Sequence, residues 1–143
     1  METCGYFNWD STKDILLKMD HLLYDIKCMD ESLHKQVTGV SNQLILENCC
    51  KVAQEGIPLT IRIPLIKEVN CNPDNLIATA QFVMNHVPGG RIELLPYHDF
   101  GKEKYQAIGM REDFKSFTTP TWDEVAAAKQ LLIDHGIRIV EYK

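Results

Sequence analysis

Asp25 and Lys27 stand two residues apart in Leu22-Leu23-Tyr24-Asp25-Ile26-Lys27, a spacing that puts both side chains on one face of a strand. A carboxylate and an ammonium projecting together can hold a zwitterionic ligand, or they can pair with each other. Arg62 sits in Leu59-Thr60-Ile61-Arg62-Ile63-Pro64, among aliphatic neighbours where a charge is costly unless it is paired or ligand-bound. Asp25 and Glu93 are its candidate ion-pair partners. His98 ends the run Arg91-Ile92-Glu93-Leu94-Leu95-Pro96-Tyr97-His98 and could stack on a ligand or hydrogen-bond to it. Glu2 and Thr3 offer oxygens of the kind hard cations prefer, or simply a solvated surface.

These side chains need elements to bring them together. Three strand-like runs, beginning at His21, Leu59 and Arg91, each end in polar residues just before a helix-like stretch. Helix and strand patterns alternate along the chain, which predicts an α/β fold with a parallel sheet and right-handed crossovers. In parallel sheets and barrels, ligands gather at the carboxyl ends of the strands. Asp25, Lys27, Arg62 and His98 are therefore expected to converge on one site.

Helices are predicted over 10–19, opened by Asp10-Ser11, and over 43–54, capped by Ser41 or Asn42 and stopped at Gly56. A short helical turn runs from Asp30-Glu31 through His34, and a longer helix from Asn72-Pro73 to about residue 86. Thr121 and Glu124 make a capping box for a last helix that Gly136 ends. Strands are predicted at 22–27, 58–63 and 91–96, with a final one from Ile137 to Tyr142. Residues 99–120 read as a long ordered loop carrying Phe100, Tyr105, Phe114 and Phe117, and such loops are usually functional. Met1 to Tyr6 reads as a strand end running into a loop, which suggests a fragment whose preceding half lies outside this chain.

The 143 residues suffice for one domain, or a piece of one, with a real core. A net charge of −5 without a Lys/Arg cluster argues against a nucleic-acid surface. No apolar run approaches the roughly 20 residues of a membrane span, and no secretion signal opens the chain. Five cysteines without CxxC or secreted-scaffold spacing read as reduced thiols of a cytoplasmic protein. His21, His34, His86 and His135 show no metal-ligand spacing, and there is no GxGxxG, P-loop or nucleophile elbow. Lys27 could also serve as a Schiff-base nucleophile in an aldolase-like half-barrel.

The segment Leu22 to Asp30, followed by His34-Lys35 and Thr38-Gly39-Val40-Ser41-Asn42, resembles the glycyl-radical-enzyme activating enzymes of the radical S-adenosylmethionine class. Pyruvate formate-lyase activase is the best-known member. The resemblance continues through Leu46-Glu47-Asn48, Gly56-Ile57-Pro58, Ile61-Arg62-Ile63-Pro64 and Ile92 to His98, and on to Gly101, Lys104-Tyr105 and Gly109. The start at Thr3-Cys4-Gly5-Tyr6 fits as well.

The resemblance implies the C-terminal βα units of a partial (β/α)6 TIM-like radical SAM barrel over residues 1–143, with the N-terminal cluster-binding half absent. In such enzymes a 4Fe–4S cluster reductively cleaves S-adenosylmethionine, and the resulting radical takes hydrogen from a glycine of a partner such as pyruvate formate-lyase. Asp25, Lys27, Arg62 and His98 would line the S-adenosylmethionine pocket. Glu2, Thr3, Asp25 and the Leu23 backbone would hold a monovalent cation. Met29, Asp30 and His34 would meet the partner's glycine loop. The parent would draw electrons from flavodoxin or ferredoxin.

Two family motifs are missing: the CxxxCxxC that ligates the cluster, and the glycine-rich segment that meets the methionine amino group. The usual Pro-Gly-x-Asn-Asp reads Lys67-Glu68-Val69-Asn70-Cys71, which leaves Asn70 as the adenine-side match. No catalytic residue is assigned to this chain, which is expected to be inactive alone and to self-associate through an exposed sheet edge. The alternative is a cluster-less α/β binding or regulatory module derived from the same family.

Overall fold

The computed structural model describes residues 1–99, 101–110 and 116–141. Five strands form one sheet in sequential order: β1 (Glu2–Thr3), β2 (Leu22–Asp25), β3 (Leu59–Leu65), β4 (Arg91–Pro96) and β5 (Arg138–Ile139). Every pairing is parallel. Parallel neighbours need crossovers, and helices supply them. The helices are α1 (Trp9–Leu16), α2 (Glu31–Thr38), α3 (Gln43–Gln54), α4 (Pro73–His86), α5 (Gly101–Ala107) and α6 (Trp122–Asp134). The expected α/β architecture with a parallel sheet is what the chain adopts. Among the described residues no helix is long and apolar enough to cross a membrane.

The two-residue alternation of the strands divides the sheet into an apolar and a polar face. Leu22, Tyr24, Leu59, Ile61, Ile63, Leu65 and Ile92 are at most 2% exposed. They pack in one cluster with Leu16, Cys49, Val52, Ala80, Val83 and Leu132 from the helices. Each such aliphatic side chain contributes roughly 1.5–3 kcal/mol on burial. The opposite parity carries Leu23, Asp25, Thr60, Arg62 and Glu93.

Local chemistry sets the helix bounds, and several differ from the sequence reading. α1 is capped by Asn8, whose side chain accepts from the Ser11 N–H, so the helix starts earlier than Asp10-Ser11 suggested. α2 runs to Thr38, well past His34, and Gly39 closes it at φ 86°, a conformation glycine reaches without a Cβ penalty. The capping box at Thr121 and Glu124 is present in full.

The stretch 99–120 is not a loop throughout, because α5 occupies part of it. Phe100, Phe114 and Tyr142 lie outside the described residues. Phe117 meets the Tyr97 ring edge-on at 5.8 Å. β5 is shorter than the run from Ile137 predicted.

Candidate functional site

Around the carboxyl end of β2, three adjacent strands bring four charges into a chain of alternating sign, with Arg62 in the middle of the longer β3. The register places Asp25 beside Arg62 and Glu2 beside Leu23, so Glu2, Asp25 and Arg62 project from the polar face together. Arg62 Nη1 donates to Glu2 Oε1 at 2.7 Å, and its Nε donates to Asp25 Oδ1 at 3.0 Å. Lys27 Nζ lies 3.4 Å from the other Asp25 oxygen. Arg62 is thus the hub, its side chain only 13% exposed, while Lys27 keeps 39%.

The electrostatics follow the contacts. The hydrogen bond from Arg62, then its charge, holds the Glu2 carboxyl below the ordinary carboxylate range. The Glu2 bond is likewise the largest influence raising the Arg62 guanidinium. Asp25 is one of the paired alternatives the sequence offered for Arg62; Glu2 was not foreseen. The sequence singled out Glu2 only as an oxygen ligand, because a strand of two residues gives no register that would set it beside Arg62.

The remaining expected residues divide. His98 lies beyond β4 on the same rim and is exposed. Asn70 is 1% exposed, and its carboxamide is fully engaged. Its Nδ2 donates to the Lys27 and Pro64 carbonyls at 2.7 Å each, and its Oδ1 accepts from the Ile66 N–H at 2.7 Å. Its contacts pin the ends of β2 and β3 rather than offering a free amide.

Thr3 pairs in register with Tyr24, on the face opposite Glu2, and its hydroxyl accepts from the Gly5 N–H at 3.1 Å. Of the carboxylate oxygens expected for a monovalent cation, Glu2 Oε1 and Asp25 Oδ1 accept from Arg62, and Asp25 Oδ2 faces Lys27 at 3.4 Å. Among the described residues no three His, Cys, Asp or Glu side chains gather to hold a metal.

The segment expected to meet a partner is also locally tied. Asp30 caps α2, accepting from the Leu33 N–H at 2.6 Å. His34 is 1% exposed, with Nδ1 2.8 Å from the Val40 carbonyl, so its ring faces inward rather than toward a partner. Met29 and Asp30 do border a cleft of about 470 Å³ between the starts of α2 and α4, with Leu33, Val69 and Asn75. That cleft opens on the same end of the sheet as the charge chain.

No family model matches the chain. Curated relatives do. The isethionate sulfite-lyase activating enzyme of Nitratidesulfovibrio vulgaris is 42% identical over 110 residues, covering 76% of this chain and 35% of that protein. The trans-4-hydroxy-L-proline dehydratase activating enzyme of Clostridioides difficile is 34% identical, covering 92% and 44%. The chain therefore spans less than half the length of these curated relatives.

Among solved structures, a domain of the pyruvate-formate lyase-activating enzyme from Bacteroides vulgatus is 29% identical with a TM-score of 0.78, covering 99% of this chain and 79% of that one. A radical SAM methyltransferase from Sphaerobacter thermophilus shares the fold at a TM-score of 0.72 and 17% identity, over 97% of this chain and 38% of that one. By these relatives the chain belongs to the family of glycyl-radical-enzyme activating enzymes.

Proposed function

We propose that this chain forms the S-adenosylmethionine-binding C-terminal wall of a radical activating enzyme, residues 1–143 corresponding to its later βα units. The observation that carries the reading is the Glu2–Arg62–Asp25–Lys27 chain around the carboxyl end of β2. A zwitterionic amino acid moiety needs one anionic and one cationic contact held apart at fixed positions, and this chain supplies both. Asp25 offers a carboxylate to an ammonium. Lys27 and Arg62 offer donors to a carboxylate, with Arg62 fixed by two partners.

Membership in the family implies S-adenosylmethionine and a 4Fe–4S cluster as cofactors. The S-adenosylmethionine chemistry fits the donor set above. The cluster does not fit this chain, whose cysteines at 4, 28, 49, 50 and 71 make no CxxxCxxC. The cluster would supply the electron that cleaves S-adenosylmethionine, so the chain alone is expected to be inactive. What its residues do is bind and orient.

The substrate is the backbone glycine of a partner glycyl radical enzyme. Pyruvate formate-lyase is the first candidate, supported by the Bacteroides vulgatus likeness. The curated relatives, named for a sulfite-lyase and a dehydratase, supply the next ones. A flavodoxin or ferredoxin would donate electrons, in the cytoplasm, where five unpaired cysteines stay reduced.

Electron paramagnetic resonance tests the reading. The chain, joined to a cluster-bearing N-terminal portion and reconstituted with iron and sulfide, should raise a glycyl radical doublet in a candidate partner only when S-adenosylmethionine is present. Cleavage of S-adenosylmethionine with no glycyl radical in any of these partners would defeat the activase assignment.

A further inference from the structure

After the Ile26 N–H makes the last bond to β3, asparagine side chains take backbone polar groups of Lys27, Cys28 and Met29 one after another. The Lys27 carbonyl accepts from Asn70 Nδ2 at 2.7 Å. The Cys28 and Met29 carbonyls accept from Asn42 Nδ2 at 3.0 and 2.9 Å. The Met29 N–H donates to Asn75 Oδ1 at 2.8 Å. The asparagines are also tied to one another's loops, since Asn75 Nδ2 donates to the Asn70 carbonyl at 3.2 Å.

Asn42, Asn70 and Asn75 are 3%, 1% and 9% exposed. A buried polar group without its partner is expensive, so carboxamides at these depths cannot be exchanged freely. Asparagine fits because one side chain carries both a donor and an acceptor. An aspartate at position 70 would instead turn a carboxylate toward two carbonyls.

This arrangement has a functional direction. One end of the held segment carries Lys27, a member of the charge chain. The other carries Met29 and Asp30, which border the cleft between the starts of α2 and α4. We propose that Asn42 and Asn75 are positioning residues that, with Asn70, lock Lys27 to Met29 into one rigid piece, so that the charge chain and the cleft keep a fixed relation. The functional half of this proposal rests on the S-adenosylmethionine reading above; the locking itself does not.

Two measurements separate them. In the unmodified chain, nuclear magnetic resonance should show a scalar coupling across the hydrogen bond from the Met29 amide to the Asn75 side-chain carbon. Its absence overturns the assignment without any variant. Amide exchange then reads the lock: Asn75→Leu should lower protection at Met29 at least tenfold and leave Tyr24 and Ile61 within threefold.

Asn75→Asp keeps an acceptor for the Met29 N–H at a helix position that tolerates a carboxylate but gives up the donor to the Asn70 carbonyl, and should lose less than threefold of the protection. Equal loss in both variants, or in neither, refutes the proposal. Calorimetric titration with S-adenosylmethionine should then show at least fivefold weakening for Asn75→Leu and less than twofold for Asn75→Asp. If the unmodified chain binds none, the S-adenosylmethionine reading fails while the exchange result still judges the lock.

Discussion

Replacing Gly5 by alanine should be one of the most damaging single-methyl changes available in this chain. Gly5 lies two residues past the end of β1 and adopts φ 76°. A Cβ there would fall 1.9 Å from the Tyr24 hydroxyl oxygen and 2.3 Å from the ring carbon that bears it. Tyr24 cannot step aside, because it is 0% exposed and its hydroxyl donates to the Ile45 carbonyl at 2.6 Å. The loop cannot step aside either, since Asn48 Nδ2 holds the Gly5 and Phe7 carbonyls at 2.8 and 2.9 Å.

The positive φ costs an alanine roughly 1–2 kcal/mol. Losing the buried tyrosine bond adds about 1–3 kcal/mol, and overpacking the core adds a similar amount. Gly56 is the control, with the same φ of 76° and nothing within 4 Å of the added Cβ. Gly56→Ala should therefore cost only the backbone part. In a domain of this size a kcal/mol moves Tm by about 3–5 °C. Thermal and urea unfolding should place Gly5→Ala at least about 2 kcal/mol, or on the order of 6 °C, below Gly56→Ala. Two variants of equal stability would refute the close packing of Tyr24 against the β1 exit.

Three further outcomes follow from the charges and thiols. Arg62→Gln should let the Glu2 carboxyl rise toward its ordinary value of 4.5, read by carbon-detected titration of the side chain; no rise means Arg62 does not set it. Burial, then the nearby Arg91 charge, lowers the His21 imidazole below its ordinary 6.5. The folded state thus binds that proton less readily than the unfolded chain. Stability should fall as pH drops below about 6.5, and His21→Gln should flatten that part of the profile. Burial pushes the Cys49 thiol up to about 12, so brief alkylation of the native chain should label exposed Cys4 and spare Cys49.

Period-two alternation made the three long strands and their polar ends legible in the sequence, and with them Asp25, Lys27 and Arg62. The strand end at Met1 to Tyr6 was legible too, but two residues carry no period that could give its register, and so Glu2 was read as a cation ligand rather than the partner of Arg62. α5 was hidden because Gly101–Ala107 is a short helix that lacks an apolar stripe. Asn42 was legible only as a helix cap, and Asn75 not at all, because a carboxamide's tertiary partners leave no periodic trace. His34 follows the same rule: a histidine four residues past the Asp30 cap looks exposed until Val40 returns to meet it.

The most direct test of the central claim is a titration of the isotopically labelled chain with S-adenosylmethionine. Shifts should concentrate at Asp25, Lys27, Arg62 and His98, and Arg62→Gln should weaken binding at least tenfold. No change at these four residues at about 5 mM ligand, or changes gathered instead at His21 and Arg91 by the opposite ends of the strands, would contradict it.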